Sequence, residues 1–238
     1  MSSTWDSVDR PIEYLAWARS VSAVSRLINS ATVIEWNLDK VHQRELADAG
    51  VPVIPTTWVA PGDPWEPPAA SEFVVKPSVS AGGRATARYA RDDAAGLAHV
   101  RQLQGRGQTV MVQEYLSAID EEGELDAIFF GGQFSHAVLK KPALRVGEGT
   151  VERAWTRMAW AGLASPGARQ LAVAEKAVAA ISDRLGEMPA YSRIDLINGA
   201  AGDPLVLEAE LIDPYLSLDI EPAAAVRLGQ DGDRSVTL

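Results

Sequence analysis

The sequence predicts an α+β fold built as two lobes. Helical and strand-like periods are mixed along the chain rather than regularly alternating, which argues against a doubly wound parallel sheet. Two pairs of apolar strand-like runs flank short turns, at Gly131-Gly132 and at the NGAAGD segment 198–203, and read as hairpins. The balance of 47% apolar and 23% charged residues over 238 positions is that of a folded globular chain.

Taken in order, residues 11–28 open with Pro11 and space Ile12, Leu15, Val21, Val24, Leu27 and Ile28 at helical intervals, an amphipathic helix. After the short apolar stretch Ala31 to Trp36, the run 37–49 predicts a second helix with Asn37 as N-cap, Lys40 in its first turn and Gly50 as its stop. Val51 to Val59 is β-branched and strand-like, and the proline-rich 60–70 reads as a surface loop. FVVKP (73–77) predicts a strand, SVSAGG (78–83) a small-residue loop and RATARYA (84–90) a second strand, before a helix over 92–104 and a buried strand at TVMVQEYL (109–116). Residues 124–141 form a predicted hairpin, 142–165 shows no clear period, and 166–186 is an alanine-rich helix. Strands at 190–197 and 204–209 follow, and the polar tail 229–238 is expected to fray.

A net charge of −10 repels a phosphate backbone, so broad nucleic-acid or anionic-membrane binding is not expected. The absence of cysteine excludes disulfides, thiolate metal sites and a cysteine nucleophile. With no leader-like start and no apolar run of spanning length, the expected location is cytoplasmic. His42, His99 and His136 are scattered without metal-ligand spacing, and no Ser-His-Asp set is indicated.

Two elements point to chemistry. In FVVKPSVSAGG a strand delivers Lys76 and then a loop whose Ser78, Ser80, Gly82 and Gly83 can bring backbone N–H groups to an anion. It is not a Walker loop, because the lysine precedes the glycines. The same loop also fits a hairpin whose glycines serve only the turn. In YSRIDLI and LVLEAEL, alternate residues share a strand face, so Arg193 points with Asp195 and Glu208 with Glu210. Antiparallel pairing of the two strands would converge three carboxylates and one guanidinium, a set suited to Mg²⁺ shared with phosphates. Solvent-facing residues of a half-exposed sheet would show the same alternation. Gln113, Glu114, Tyr115 and Leu116 end an apolar strand where an interlobe crevice could hold a base. Lys40 near a helix N-terminus suits an anionic ligand, although a solvated surface lysine is the commoner case. Trp155 and Trp160 could wall a substrate pocket.

In order, NLDK, GVPVIPT, FVVKPSVSAGG, VMVQEYL, GELDAIFFGGQFSHAVLKK, YSRIDLI and LVLEAELIDP resemble the successive blocks of the ATP-grasp superfamily. The likeness runs from Ser3 to about Val226 and is strongest to the branch that includes the cycloserine-forming cyclo-ligase, with D-alanine ligase, glutathione synthetase and RimK-type ligases more distant. The resemblance implies that Lys40 and Lys76 contact the ATP phosphates and that the loop from Ser78 to Gly83 closes over them. It implies that 113–116 holds adenine, that Glu124 holds the ribose, and that Asp195, Glu208 and Glu210 bind one or two Mg²⁺ ions, or Mn²⁺. Arg193, with Lys140 in the same region, would meet the substrate carboxylate or the transferring phosphoryl group. Many members carry asparagine where this chain has Glu210, while the cyclo-ligase branch uses glutamate.

The implied organisation is a remnant of an N-terminal substrate domain at 1–36, the family's substrate domain being largely missing, then a small lobe at 37–112 and a large lobe at 113–238. The implied activity is a carboxylate–amine ligase working through an acylphosphate on small-molecule substrates, as a cyclo-ligase on an amino-acid-like substrate or otherwise, and in a homodimer as in many relatives. A nucleotide-binding module without ligase activity is the alternative, and an acidic α+β interaction domain a third.

Overall fold

The computed structural model describes residues 7–142, 144–150 and 160–234. Two antiparallel sheets carry the fold. The first has strands β1 (Thr56–Val59), β2 (Glu72–Pro77), β3 (Ala87–Ala90) and β4 (Val110–Glu114) in the order β1-β4-β2-β3. Helix α4 (Ala94–Gly105), N-capped by Asp93, covers one face, where Phe73, Val75, Tyr89, Val100, Leu103 and Val112 form a core. Gly96 permits that approach, since a Cβ there would lie 2.5 Å from the Phe73 ring.

The second sheet has strands β5 (Glu124–Phe130), β6 (Gln133–Lys140), β7 (Trp160–Ala164), β8 (Tyr191–Asn198) and β9 (Pro204–Glu210), ordered β7-β6-β5-β8-β9. The β5–β6 turn uses Gly131 and Gly132, both at positive φ, as the hairpin reading expects. Helix α6 (Ala168–Leu185) buries Ala174, Ala177, Val178 and Ile181, one face at helical spacing, against Leu125, Ala127, Phe129, Ile194 and Leu196. It stops at Gly186, which adopts a left-handed conformation. On the opposite face Ile128, Phe130 and Val138 pack with helix α7 (Ala224–Arg234). Strands β5 and β8 therefore alternate between the α6 core and a second face, which carries Glu124, Asp126, Arg193 and Asp195.

Several expectations are corrected. The first helix, α1, ends at Ser22 (Pro11–Ser22), and the apolar stretch after it is itself helix α2 (Ala31–Asn37), capped by the Ser30 hydroxyl. Asn37 is the last residue of α2, not the N-cap of the next helix α3 (His42–Asp48), and Lys40 lies in the connection before α3. The buried Asn37 amide donates to the Ala209 carbonyl at 2.8 Å and accepts from the Leu211 N–H at 2.8 Å, while Gln43 donates to the Leu207 carbonyl at 2.8 Å. These amides satisfy the outer edge of β9, so tertiary demand overrides the capping preference. The strand expected over 51–59 is confined to β1, preceded by a bridge from Val53 to Val206. A short helix α5 (Ala118–Glu122) occupies a stretch for which no element was expected, the aperiodic 142–165 contains β7, and the tail expected to fray is helical to Arg234. Leu46 and Val51 join the α6-side core, and the first sheet continues through Glu114. No helix among the described residues is long and apolar enough to cross a membrane.

Substituting serine at Asn37 separates the two roles. A cap would tolerate Asn37→Ser, whereas losing the bridge leaves the Ala209 carbonyl and the Leu211 N–H unpaired and should cost about 2–3 kcal/mol in urea unfolding.

Candidate active site

The second face of the five-stranded sheet looks across a cleft of about 1700 Å³ toward the first sheet and the glycine loop. Strand register builds its floor. Arg193 lies opposite Glu210, and Asp195 lies opposite both Glu208 on β9 and Asp126 on β5. The convergence expected from antiparallel pairing is thus present, and oxygens of Asp195, Glu208 and Glu210 lie within 4.8 Å of one another. Arg193 binds Asp195 with two hydrogen bonds of 2.7 and 2.8 Å and reaches Glu210 at 2.7 Å.

Across the cleft, Lys76 from β2 pairs with Glu208 at 2.8 Å, and Lys40 stands 4.0 Å from the other Glu208 oxygen. The Lys40 ammonium also donates to the Ser80 carbonyl and approaches the Ser80 hydroxyl at 3.3 Å, so it is tied to the glycine loop. Gly82 and Gly83 both take positive φ. Ser80, Gly82, Gly83, Gln113, Glu114, Tyr115, Leu116 and Glu124 line the same cleft. Ser78 does not. It is 2% exposed, its N–H bonds the Thr109 carbonyl and its own carbonyl accepts the Lys40 N–H at 2.9 Å. Its role is to anchor the base of the loop and the backbone of Lys40. The Gln113 side chain donates to the Thr56 hydroxyl at 2.9 Å, and its backbone is paired within β4, between β1 and β2.

Lys140 ends β6 inside a second acidic group, Glu124, Asp126 and Asp195. Its ammonium contacts Glu124, lies 3.0 Å from Asp126 and 3.6 Å from Asp195, and so stands where a cation among those carboxylates would stand. Asp126 is fully buried and also meets Arg193 at 3.4 Å. The sequence reading named Glu124 but missed Asp126, although strand alternation in GELDAIFF puts the two on one face. The wall formed by 213–219, with Asp213, Tyr215 and Ser217, was also missed, because it follows the last strand without a periodic signal. Trp155 and the Trp160 side chain lie outside the described part of the structure.

The charges set the protonation states. Burial would raise the Glu208 carboxyl, but Lys40 and Lys76 outweigh it and hold it at about 2. Burial likewise opposes ionisation of Asp195, and Arg193 and Lys140 more than compensate, keeping it well below the usual carboxylate range. Glu210 goes the other way. Burial, with Asp195 and Glu208 nearby, lifts it to about 7 despite its contact with Arg193. Asp126 is raised by burial and by Asp195. Lys140 is held charged because Asp195, Glu124 and Asp126 exceed the cost of its burial.

No family model matches the chain. It is 39% identical over 240 residues to the cycloserine biosynthesis protein DcsG of Streptomyces lavendulae, across 96% of this chain and 79% of that protein. The crystal structure of D-cycloserine synthetase DcsG superposes with a TM-score of 0.88 at 37% identity, covering 99% of this chain and 82% of the other. The chain belongs to the ATP-grasp ligases, in the DcsG branch. As a member it is an ATP-dependent enzyme that forms C–N bonds. The ATP-grasp fold is shared at lower identity with D-alanine–D-alanine ligase from Bacillus anthracis complexed with ATP, with a TM-score of 0.68 at 14% identity over 98% of this chain and 81% of that one. It is shared too with the RimK domain ATP-grasp protein from Sphaerobacter thermophilus, with a TM-score of 0.58 at 16% identity over 92% and 75%.

In this ATP-grasp ligase the Lys140 ammonium neutralises buried carboxylates, so Lys140→Met should cost about 3–5 kcal/mol in unfolding at pH 8. The cost should shrink toward pH 5 as the carboxylates take up protons, and adding Asp126→Leu should recover part of it.

Proposed function

We propose that the chain is an ATP- and Mg²⁺-dependent carboxylate–amine ligase that acts through an acylphosphate and closes a C–N bond within an amino-acid-derived substrate. The observation that carries this is the β8–β9 register, which sets Arg193, Asp195, Glu208 and Glu210 opposite Lys40, Lys76 and the glycine loop. The small lobe would supply the two lysines and the loop, and the large lobe the acidic floor. The ring-closing assignment draws on the likeness to D-cycloserine synthetase.

The donor set fits a hard divalent cation. Asp195, Glu208 and Glu210 offer only oxygens, face the cleft, and carry an excess of negative charge expressed in the raised Glu210. When bound there, Mg²⁺ would offset charge on the ATP phosphates. Lys40 and Lys76 would hold the phosphates, Ser80, Gly82 and Gly83 would cover them, and Gln113 to Leu116 would hold adenine with Glu124 at the ribose. A substrate carboxylate oxygen attacks the γ-phosphorus and the bond to the β,γ-bridging oxygen breaks, releasing ADP. The substrate's nitrogen then attacks the acyl carbon, phosphate leaves with the C–O electron pair, and the nitrogen gives up a proton. Arg193 would stabilise charge on the transferring phosphoryl group, and Lys140 would neutralise the carboxylates behind it. No protein nucleophile takes part.

The test is ADP release across a panel of amino-acid-derived carboxylates that carry a terminal nitrogen nucleophile. One ADP should form per product, and Glu208→Gln should lower the rate at least about 100-fold. Because Glu210 holds its proton up to about pH 7, turnover at limiting Mg²⁺ should rise between pH 6 and 8, with the midpoint moving lower as Mg²⁺ is raised. Substrate-independent ADP release, or an active Glu208→Gln, would contradict the assignment.

A further inference from the structure

Arg88 takes no part in the chemistry above, yet it is one of the most constrained cations in the fold. It projects from β3 with its side chain 12% exposed, and its guanidinium carbon lies 3.3 Å from the centroid of the Tyr115 ring. The same guanidinium donates to Glu72 on β2, 3.0 Å from its Nε, and approaches the Asp120 carboxylate of α5 at 3.3 Å. Tyr115 in turn donates its hydroxyl to Asp120 at 2.6 Å, and its backbone N–H bonds the Glu72 carbonyl at 3.0 Å. The four side chains form a closed set around the point where the chain leaves the first sheet at Glu114.

We infer that Arg88 is a positioning residue for the nucleotide base: by stacking on Tyr115 and bridging Glu72 to Asp120, it holds the backbone of 113–116 in the line that reads adenine. This rests on the assignment of that segment to adenine under the proposed function. An exposed ion pair alone would contribute little. Here the planar guanidinium fills a ring face and two carboxylates at once, which a lysine ammonium cannot reproduce. Tyr115 and Leu116 line the cleft and the Tyr115 N–H is bonded to the Glu72 carbonyl, so a guanidinium that clamps the Tyr115 ring and the Glu72 carboxylate together fixes the segment on which the base would rest.

The test is isothermal titration of the full chain with ADP and with inosine diphosphate, each with Mg²⁺, for wild type, Arg88→Lys, Arg88→Met and Asp120→Asn. In both Arg88 variants the ADP dissociation constant should rise about tenfold, and the preference for ADP over inosine diphosphate should shrink, a change that a general loss of stability would not produce. Asp120→Asn, at a half-exposed site, should show the same changes in smaller measure, and carries the test with Arg88→Lys if Arg88→Met does not fold. ADP affinity within twofold of wild type in the variants, or equal weakening toward both nucleotides, would overturn the role of Arg88. A wild-type chain that binds neither nucleotide would instead overturn the adenine assignment itself.

Discussion

Charge compensation inside a desolvated cleft is the constraint on which the structure turns. Five carboxylates, Glu124, Asp126, Asp195, Glu208 and Glu210, face four cations, Lys40, Lys76, Lys140 and Arg193, with most of these side chains withdrawn from water. Desolvating so many ions is tolerable only if each finds partners, and the pairing is correspondingly dense. Lys140 and Arg193 neutralise the interior group at Asp126 and Asp195, while Lys76 and Lys40 neutralise Glu208 from the opposite side. Among these groups carboxylates exceed cations by one, and burial together with that crowding raises Glu210, Asp126 and Glu124. The same imbalance is what the proposed divalent cation would relieve.

That distribution also sorts the lysines by task. Lys140 is enclosed by the carboxylates it neutralises, whereas Lys76 and Lys40 hold a single carboxylate across the cleft, which under the proposed function they would exchange for a phosphate. The backbone supports this division. Asn37 and Gln43 fix the free edge of β9 and so hold Glu208 and Glu210, and Ser78 fixes the loop base together with the backbone of Lys40.

How far the site could be read in advance followed the range of each signal. Two-residue alternation is local, so Arg193, Asp195, Glu208 and Glu210 were legible as one face, and the Gly131-Gly132 turn was legible from its residues alone. Lys76 was legible from the strand and small-residue loop it joins, and the family likeness added Lys140 and Glu124 and gave Lys40 its place beside them. What escaped depends on partners distant in sequence. Asn37 carries the chemistry of a helix cap, and only the presence of Ala209 and Leu211 beside it assigns it to a strand edge. Asp126 sits in an apolar run whose charge makes sense only beside Lys140 and Arg193. Strand β7 has no alternation of its own and exists because β6 offers it an edge.

Thermal unfolding with a non-hydrolysable ATP analogue and Mg²⁺, comparing wild type with Lys76→Ala, tests the central claim most directly. The account predicts that at about 100 times the dissociation constant the wild-type midpoint rises by roughly 5–10 °C, and that Lys76→Ala loses most of the rise because the phosphate then lacks its buried cation. An equal rise in both proteins, or none in the wild type, would contradict the claim that these paired charges form the nucleotide site.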